Sequence, residues 1–339
     1  MPFRRAVASA VFLAVVVMHN VPAGAQAGPP PGGQAGPAGA PGRGGPGAPG
    51  RGGPGGPGGG FGAGPFTPAA GAKDLKSVLF NWAWHMGMLR SGNESELIKT
   101  LDYHAAAGTI QVDGQPCTLT KYRVQANYQV PGYREQIECT RANKQKYSNV
   151  QTVSGTHAWD EDMPGAELVP GKGKATPRPA ALEERLIRLW ASPQGAPKAA
   201  IAGAAGLPPS ESFGQNPALL LDRQAAAGAK ATTTLSWEGE KAVVTFPIPG
   251  VPGAMATATL NNYLPERVVV TSGTNKTEFV YGKFADWNNP LFKIEALYAG
   301  TIVERQNGTV VRNVTAKVTE IGQIYVVMPV PASVRKAGK

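Results

Sequence analysis

Leu75, Val78, Leu79, Trp82, Met86 and Leu89 recur at helical spacing, which predicts an amphipathic first helix over about Lys73–Arg90, with its Trp and Met in the core. After Gly92 the period changes. Over residues 119–130, Leu119, Tyr122, Val124, Ala126, Tyr128 and Val130 share one side. Lys121, Arg123, Gln125, Asn127 and Gln129 share the other. Val130-Pro131-Gly132 turns the chain, and Tyr133, Ile137 and Cys139 continue the apolar side opposite Arg134, Gln136 and Glu138, so a hairpin is expected. Strands at Lys146–Val153 and Thr156–Trp159 follow, then a loop over Asp160–Pro179. Helical spacing returns over Ala180–Trp190, and an Ala-rich helix follows over Ala196–Ala205. Residues 206–230 show no clear period except Leu219–Leu221.

From Thr232 the chain reads as a meander with candidates Thr232–Glu238, Lys241–Pro247, Ala256–Leu260, Glu266–Ser272, Thr277–Phe284, Leu291–Glu304 and Thr309–Glu320. Glu238-Gly239-Glu240, Pro249-Gly250, Ser272-Gly273 and Asn307-Gly308 punctuate it, and Asn-Gly is a strong hairpin signal. Sequential antiparallel strands with helices in two places imply an α+β fold, one curved sheet with helices over its concave face.

Composition divides the chain. Gly and Pro occupy 28 of the 37 positions of residues 28–64, which leaves almost nothing to bury. Gly falls every third residue from 33 to 45, then shifts frame from 44 to 62. A triple helix needs an unbroken repeat, so a flexible spacer is favoured over a trimerising stalk. Before it, Arg4 and Arg5, the apolar Ala6–Met18 and the small residues Ala23-Gly24-Ala25 read as a secretory signal over 1–27, cleaved near Ala25 or Ala27. The apolar run is too short for a membrane anchor. The expected organisation is a signal (1–27), a Gly/Pro-rich linker (28–70), one domain (71–330) and a basic tail (331–339). The formal charge of +10 includes Arg4, Arg5, Arg43 and Arg51 ahead of the first acid, Asp74; without them it is +6, and without Arg335, Lys336 and Lys339 it is +3. Nothing so mild demands nucleic acid.

Cys117 and Cys139 flank the Pro131-Gly132 turn, and an even count in an exported chain favours a structural disulfide over two buried thiols. Catalytic patterns are absent. His85, His104 and His157 have no metal-ligand spacing, and neither Gly-x-Ser-x-Gly nor a phosphate loop occurs, so no enzyme, metal or cofactor is expected. Asp160-Glu161-Asp162 reads as a solvated loop rather than a Ca²⁺ site, and the sequons at Asn93, Asn275, Asn307 and Asn313 are weak signals. Trp159, Trp190, Trp237, Phe279, Tyr281 and Tyr298 are candidate cavity-lining residues, against the alternative of an ordinary packed core. Arg312 shares a face with Val310, Val314, Ala316 and Val318; its guanidinium needs a partner, a route to the barrel rim, or a ligand's polar head.

Several short pieces in order resemble the lipoprotein-carrier (LolA-like) half-barrel of bacterial secreted proteins, which also occurs ahead of metallo-β-lactamase-type hydrolase domains. They are Tyr133-Arg134-Glu135, Val153-Ser154-Gly155 to Ala158-Trp159, Glu183-Glu184-Arg185 to Leu189-Trp190, Ser192-Pro193-Gln194-Gly195 to Lys198-Ala199-Ala200, Tyr263-Leu264-Pro265-Glu266-Arg267-Val268, and Phe279 with Tyr281, Phe284 and Asp286. Asn288-Asn289 stands where a Gly pair is usual, and no hydrolase His motif is present. The resemblance implies an incomplete β-barrel closed by helices. It further implies a periplasmic carrier holding a lipid, a lipoprotein acyl chain or another hydrophobic molecule between sheet and helices, and the chain is expected to be a monomer. A cavity of several hundred Å³ lined by the aromatics would fit that role. A packed interior would instead favour a non-enzymatic envelope interaction module, tethered by its Gly/Pro segment, whose tail and sheet surface bind another protein or the cell wall.

Overall fold

The computed structural model describes residues 66–89, 98–212, 214–286, 296–321 and 326–337. The signal, most of the Gly/Pro-rich linker, Asn93, Asn288-Asn289, the start of the Leu291–Glu304 candidate and the last two residues lie outside them. Helix α1 (Leu75–His85) leads into four long strands, β1 (Thr100–Val112), β2 (Gln115–Asn127), β3 (Gly132–Arg141) and β4 (Lys146–Ser154), then two short ones, β5 (His157–Glu161) and β6 (Ala175–Pro177). A 3₁₀ turn at Pro179–Ala181 precedes α2 (Leu182–Ala191), α3 (Gly195–Ala205), α4 (Pro209–Ser212) and α5 (Pro217–Ala226). The meander follows as β7 (Thr234–Glu238), β8 (Lys241–Pro247), β9 (Met255–Asn261), β10 (Leu264–Ser272), β11 (Asn275–Asp286), β12 (Leu297–Gln306) and β13 (Thr309–Ile321), with α6 (Ala332–Ala337) last.

These strands form one antiparallel sheet in the order β6-β5-β4-β3-β2-β1-β13-β12-β11-β10-β9-β8-β7. The first and last long strands meet at its centre, Leu101 opposite Ile321 and Ile110 opposite Arg312. The sheet curls into a partly closed ring, with β6 and β7 as unjoined edges. This is the α+β architecture expected, a curved sheet short of a barrel. Helix α2 reaches β3, β4 and β10 across the curl, and α3 lies on β8. The main core, including Trp82, Tyr128, Leu189, Trp190 and Phe246, fills the space between.

Local chemistry explains most boundaries. Asp74 caps α1, its Oδ1 accepting the Ser77 amide at 2.9 Å. The helix stops earlier than the apolar spacing suggests because Gly87 takes φ +73°, and the Met88 amide turns back to the Ala83 carbonyl. Strand β2 ends at Asn127 rather than Val130, since Asn127 Oδ1 accepts the amides of Gln129 and Val130 and fixes the turn. Asn307 and Gly308, at φ 48° and 86°, supply the positive angles of a tight hairpin between β12 and β13. Gly195 is required differently. A Cβ there would stand 2.1 Å from the Leu189 carbonyl oxygen, so only glycine permits the α2–α3 corner. At that corner Ser192 Oγ accepts the Gly195 amide and donates to Leu189 O.

Five elements escaped the pattern, the short α4 among them. β1 contains an alanine run that alternates poorly. β6 is a three-residue edge inside the expected 160–179 loop, and the basic tail holds α6, packed on β5 and β6. Helix α5 begins at Pro217 beneath an Asn216 cap. The cysteines are joined, Cys117 on β2 to Cys139 on β3, with Cα atoms 5.6 Å apart. Among the described residues no helix is long and apolar enough to cross a membrane.

Candidate functional site

Alternation along the central strands points Tyr103 of β1, Tyr122 of β2, Tyr133 and Glu135 of β3, Tyr281 of β11, Tyr298 and Glu304 of β12 and Arg312 of β13 into the curl. Helix α2 lowers Arg188 onto them from above. Two arginines and two glutamates thereby close a ring of alternating charge. Arg312 Nη2 is 2.8 Å from Glu135 Oε1, and its Nη1 donates to Glu304 Oε2 at 2.5 Å. Arg188 Nε donates to Glu304 Oε2 at 3.1 Å, and its Nη1 stands 3.8 Å from Glu135 Oε2. Both glutamates are fully buried, and Arg312 is 7% exposed.

Such a ring is tolerated inside a protein only because every charge meets its opposite. Tyr122 adds its hydroxyl to Glu135 at 2.5 Å and its ring face to Arg312, whose Cζ lies 5.9 Å from the centroid. Gln306 Nε2 donates to Glu304 and to Glu184, and Glu184 also takes a hydrogen bond from Arg188. Burial disfavours the charged forms, yet the partners outweigh it. Glu304 is held below the usual carboxylate value by Arg188 and Arg312. Arg312 is held well above the usual arginine value by Glu135, Tyr122 and Glu304. Burial pushes the Tyr103 hydroxyl up to about 12, so it stays protonated at neutral pH.

The structure distributes the expected lining residues unevenly. Phe279, Tyr281, Tyr298 and Arg312 surround one space beside Arg188, but it measures about 20 Å³, room for about one water molecule. Tyr281 and Tyr298 are packed, the former donating to Ala191 O at 2.7 Å and the latter 5.3 Å from the Tyr103 ring. Trp190 is buried in the main core with its ring 6.3 Å from Tyr128. Trp159 faces the other way. Its neighbour Ala158 belongs to the main core, whereas Trp159 joins a second cluster with Ala166, Ala175, Val326, Met328 and Val334. Its indole Nε1 donates to the buried Glu161 at 2.8 Å. Trp237 sits half-buried on the edge strand β7, donating to Lys73 O with Lys73 Nζ 5.1 Å over its ring. Val310 also departs from the expected face. The register slips between Glu304 and Arg305, where Val311 is the extra residue, so Val310 turns outward while Arg312 stays in.

The open volume lies above the charge ring. A cavity of about 580 Å³ occupies the mouth of the half-barrel, with Arg185, Arg188 and Arg312 in its floor, Gln111, Gln151, Gln306 and Thr309 around it, and Ile110, Val112, Ile137 and Val311 at its edges. A second of about 300 Å³ shares Glu184 and Gln306 with it and runs along Glu183, Asn275 and Thr277. Arg185 is itself committed, donating to the Thr152 and Trp159 carbonyls and to Asp160. Sequence reasoning found Arg312 but missed Glu135, Glu304 and Arg188. The signal was present for two of them, since Glu135 falls on the inward side with Tyr133 and Ile137, and Glu304 with Tyr298 and Ile302.

No protein-family model matches the chain, and no curated protein matches it. Among solved structures, a LolA superfamily protein from Nitrosomonas europaea is similar over 78% of this chain and 97% of its own, with 10% sequence identity and a TM-score of 0.35. At that identity and score the likeness carries no argument about function.

Proposed function

We propose that this chain is an exported, non-catalytic binding protein or carrier of the bacterial envelope, and that it receives an amphipathic ligand at the mouth of its half-barrel. The reading is supported by the cavity of about 580 Å³ over Arg185, Arg188 and Arg312, a size within the range of small-molecule sites. The lining indicates the class of ligand. Each guanidinium in the floor is already met by a carboxylate, so the site offers little net attraction to a free anion. Amide and hydroxyl groups of Gln111, Gln151 and Thr309 suit an uncharged polar head, and Ile110, Val112, Ile137 and Val311 suit a short apolar part. An acyl chain stored deeper would have to separate α2 from the sheet, because the space among Phe279, Tyr281 and Tyr298 is about 20 Å³. Export rests on the signal-like 1–27 segment and agrees with the Cys117–Cys139 disulfide.

Native mass spectrometry of the purified protein tests the reading. A bound small molecule, or uptake of a fluorescent lysolipid, is expected for the wild type and lost in Gln151→Trp, which fills the mouth. No bound mass and no uptake would sink it. The second reading is an envelope interaction module, favoured by the closed aromatic interior. It expects capture of a protein partner that weakens when residues 28–66 are deleted.

A further inference from the structure

Exposed apolar side chains are concentrated in the loop between β5 and β6. Met163, Leu168 and Val169 there are 45%, 47% and 52% exposed. The loop is built firmly from beneath. Ala166 is buried in the outer cluster with Trp159 and Val334, and the Gly165 amide donates to Glu161 Oε2 at 2.7 Å. Five of its backbone amides find carbonyl partners within the loop. The Ala166, Leu168, Glu167 and Lys172 amides donate to the carbonyls of Met163, Gly165, Lys172 and Val169, and the Asp162 amide donates to Lys174 O. Val169-Pro170-Gly171-Lys172 forms the tip, with Pro second and Gly third at φ +73°, the arrangement of a type II turn. The turn therefore presents Leu168, Val169 and Pro170 outward, and the tip amides that lack a partner in the loop suit the hydrated headgroup layer rather than the hydrocarbon core.

The charges around the tip are sorted. Of its carboxylates, Glu161 is buried, Glu167 accepts the Ala175 amide and the Ser333 hydroxyl, and Asp162 is exposed and accepts the Lys174 amide, so Asp162 and Glu167 face four cations, Lys172, Lys174, Arg335 and Lys336. Lys172 and Lys174 flank the tip and are exposed, as are Arg335 and Lys336 of α6, which the Ser333–Glu167 bond ties to the loop. Exposed apolar residues at the tip of a loop flanked by lysines suit a bilayer interface with anionic headgroups.

We infer that the Met163–Lys174 loop, with Arg335 and Lys336 beside it, docks the protein on an anionic lipid bilayer. Leu168 and Val169 enter the headgroup layer, and the cations face the lipid phosphates. This does not depend on what the mouth cavity binds.

Flotation of the full chain with vesicles tests it, one set of phosphatidylglycerol and phosphatidylcholine and one of phosphatidylcholine alone. The wild type is expected to float with the anionic set and to be released as salt rises from about 0.05 to 0.5 M. Leu168→Asp with Val169→Asp is expected to weaken binding at least about tenfold. Each of Lys172→Glu and Lys174→Glu is expected to weaken it about fivefold or more. Because these side chains are exposed, unchanged melting temperatures verify the fold, and the Gly/Pro-rich segment is identical in all variants. The inference is overturned if the wild type ignores anionic vesicles. It is equally overturned if the double Asp variant binds them as well as the wild type, or if the loop variants lose capture of an envelope protein but not of lipid.

Discussion

Glu304 and Arg312 stand directly opposite each other on β12 and β13, and their side chains meet inside the curl rather than on its surface. A cross-strand pair fixed by register needs no long side-chain search. Here it also receives Arg188 from the helix layer and Glu135 from β3. The ring thus joins sheet to helix at the floor of the mouth. Removing one member leaves an uncompensated buried charge. Arg312→Leu or Glu304→Leu alone is expected to cost about 3–5 kcal/mol in denaturant unfolding. The double variant is expected to cost clearly less than the sum, because Arg188 retains Glu184 and Glu135. Additive losses would mean that the pair is not coupled.

The same ring sets an acid limit. Glu304 titrates below its usual value of 4.5 in the folded protein, chiefly because Arg188 and Arg312 outweigh its burial. A depressed carboxylate binds fewer protons folded than unfolded, so its stabilisation is complete above 4.5 and disappears as pH falls through the folded value. Glu304→Gln is therefore expected to be less stable than wild type at pH 7 and to converge with it in acid. Thermal unfolding measured between about pH 2 and 7 checks this; curves that stay parallel throughout contradict it.

The architecture was legible in the sequence because strand alternation and turn residues act locally. The meander is an example, from Lys241–Pro247 to the Asn307-Gly308 hairpin. The site was read only at Arg312, whose charge on an apolar face is visible in one strand, although Glu135 and Glu304 carry the same signal in theirs. The pairing is not visible, since Glu135 and Arg188 lie 177 and 124 positions from Arg312 and meet it only through the sheet order and the helix layer. Trp159 shows the converse limit. Period two says that Ala158 and Trp159 face opposite ways, but which face is covered depends on the C-terminal Val326, Met328 and Val334 arriving from far along the chain.

The disulfide closes the β2–β3 hairpin, whose cysteines are 22 positions apart. A loop of that size is expected to contribute about 3 kcal/mol through the unfolded chain. Replacing both cysteines with Ala should lower the urea midpoint accordingly while leaving the far-ultraviolet spectrum unchanged. Both lie near the Ile110–Ile137 edge of the mouth, with Cys117 opposite Ile110 in register. Neither side chain lines the cavity, so a stability loss with ligand uptake intact is the expected pattern, and a loss of uptake at full stability is not.

Trp159 separates packing from binding. It is fully buried, donates to Glu161, and lies on the face of the sheet opposite the main core. Trp159→Ala is expected to cost about 3–5 kcal/mol, the usual range for emptying so large a core position. Trp159→Phe should cost less, since it keeps much of the volume and loses the hydrogen bond to a buried carboxylate. Neither change touches the mouth, so lysolipid uptake by the folded fraction should match wild type. Gln151→Trp should show the reverse, near-normal stability with uptake lost. If Trp159→Phe abolished uptake while remaining folded, the ligand would have to sit on the outer face, and the mouth would be the wrong site.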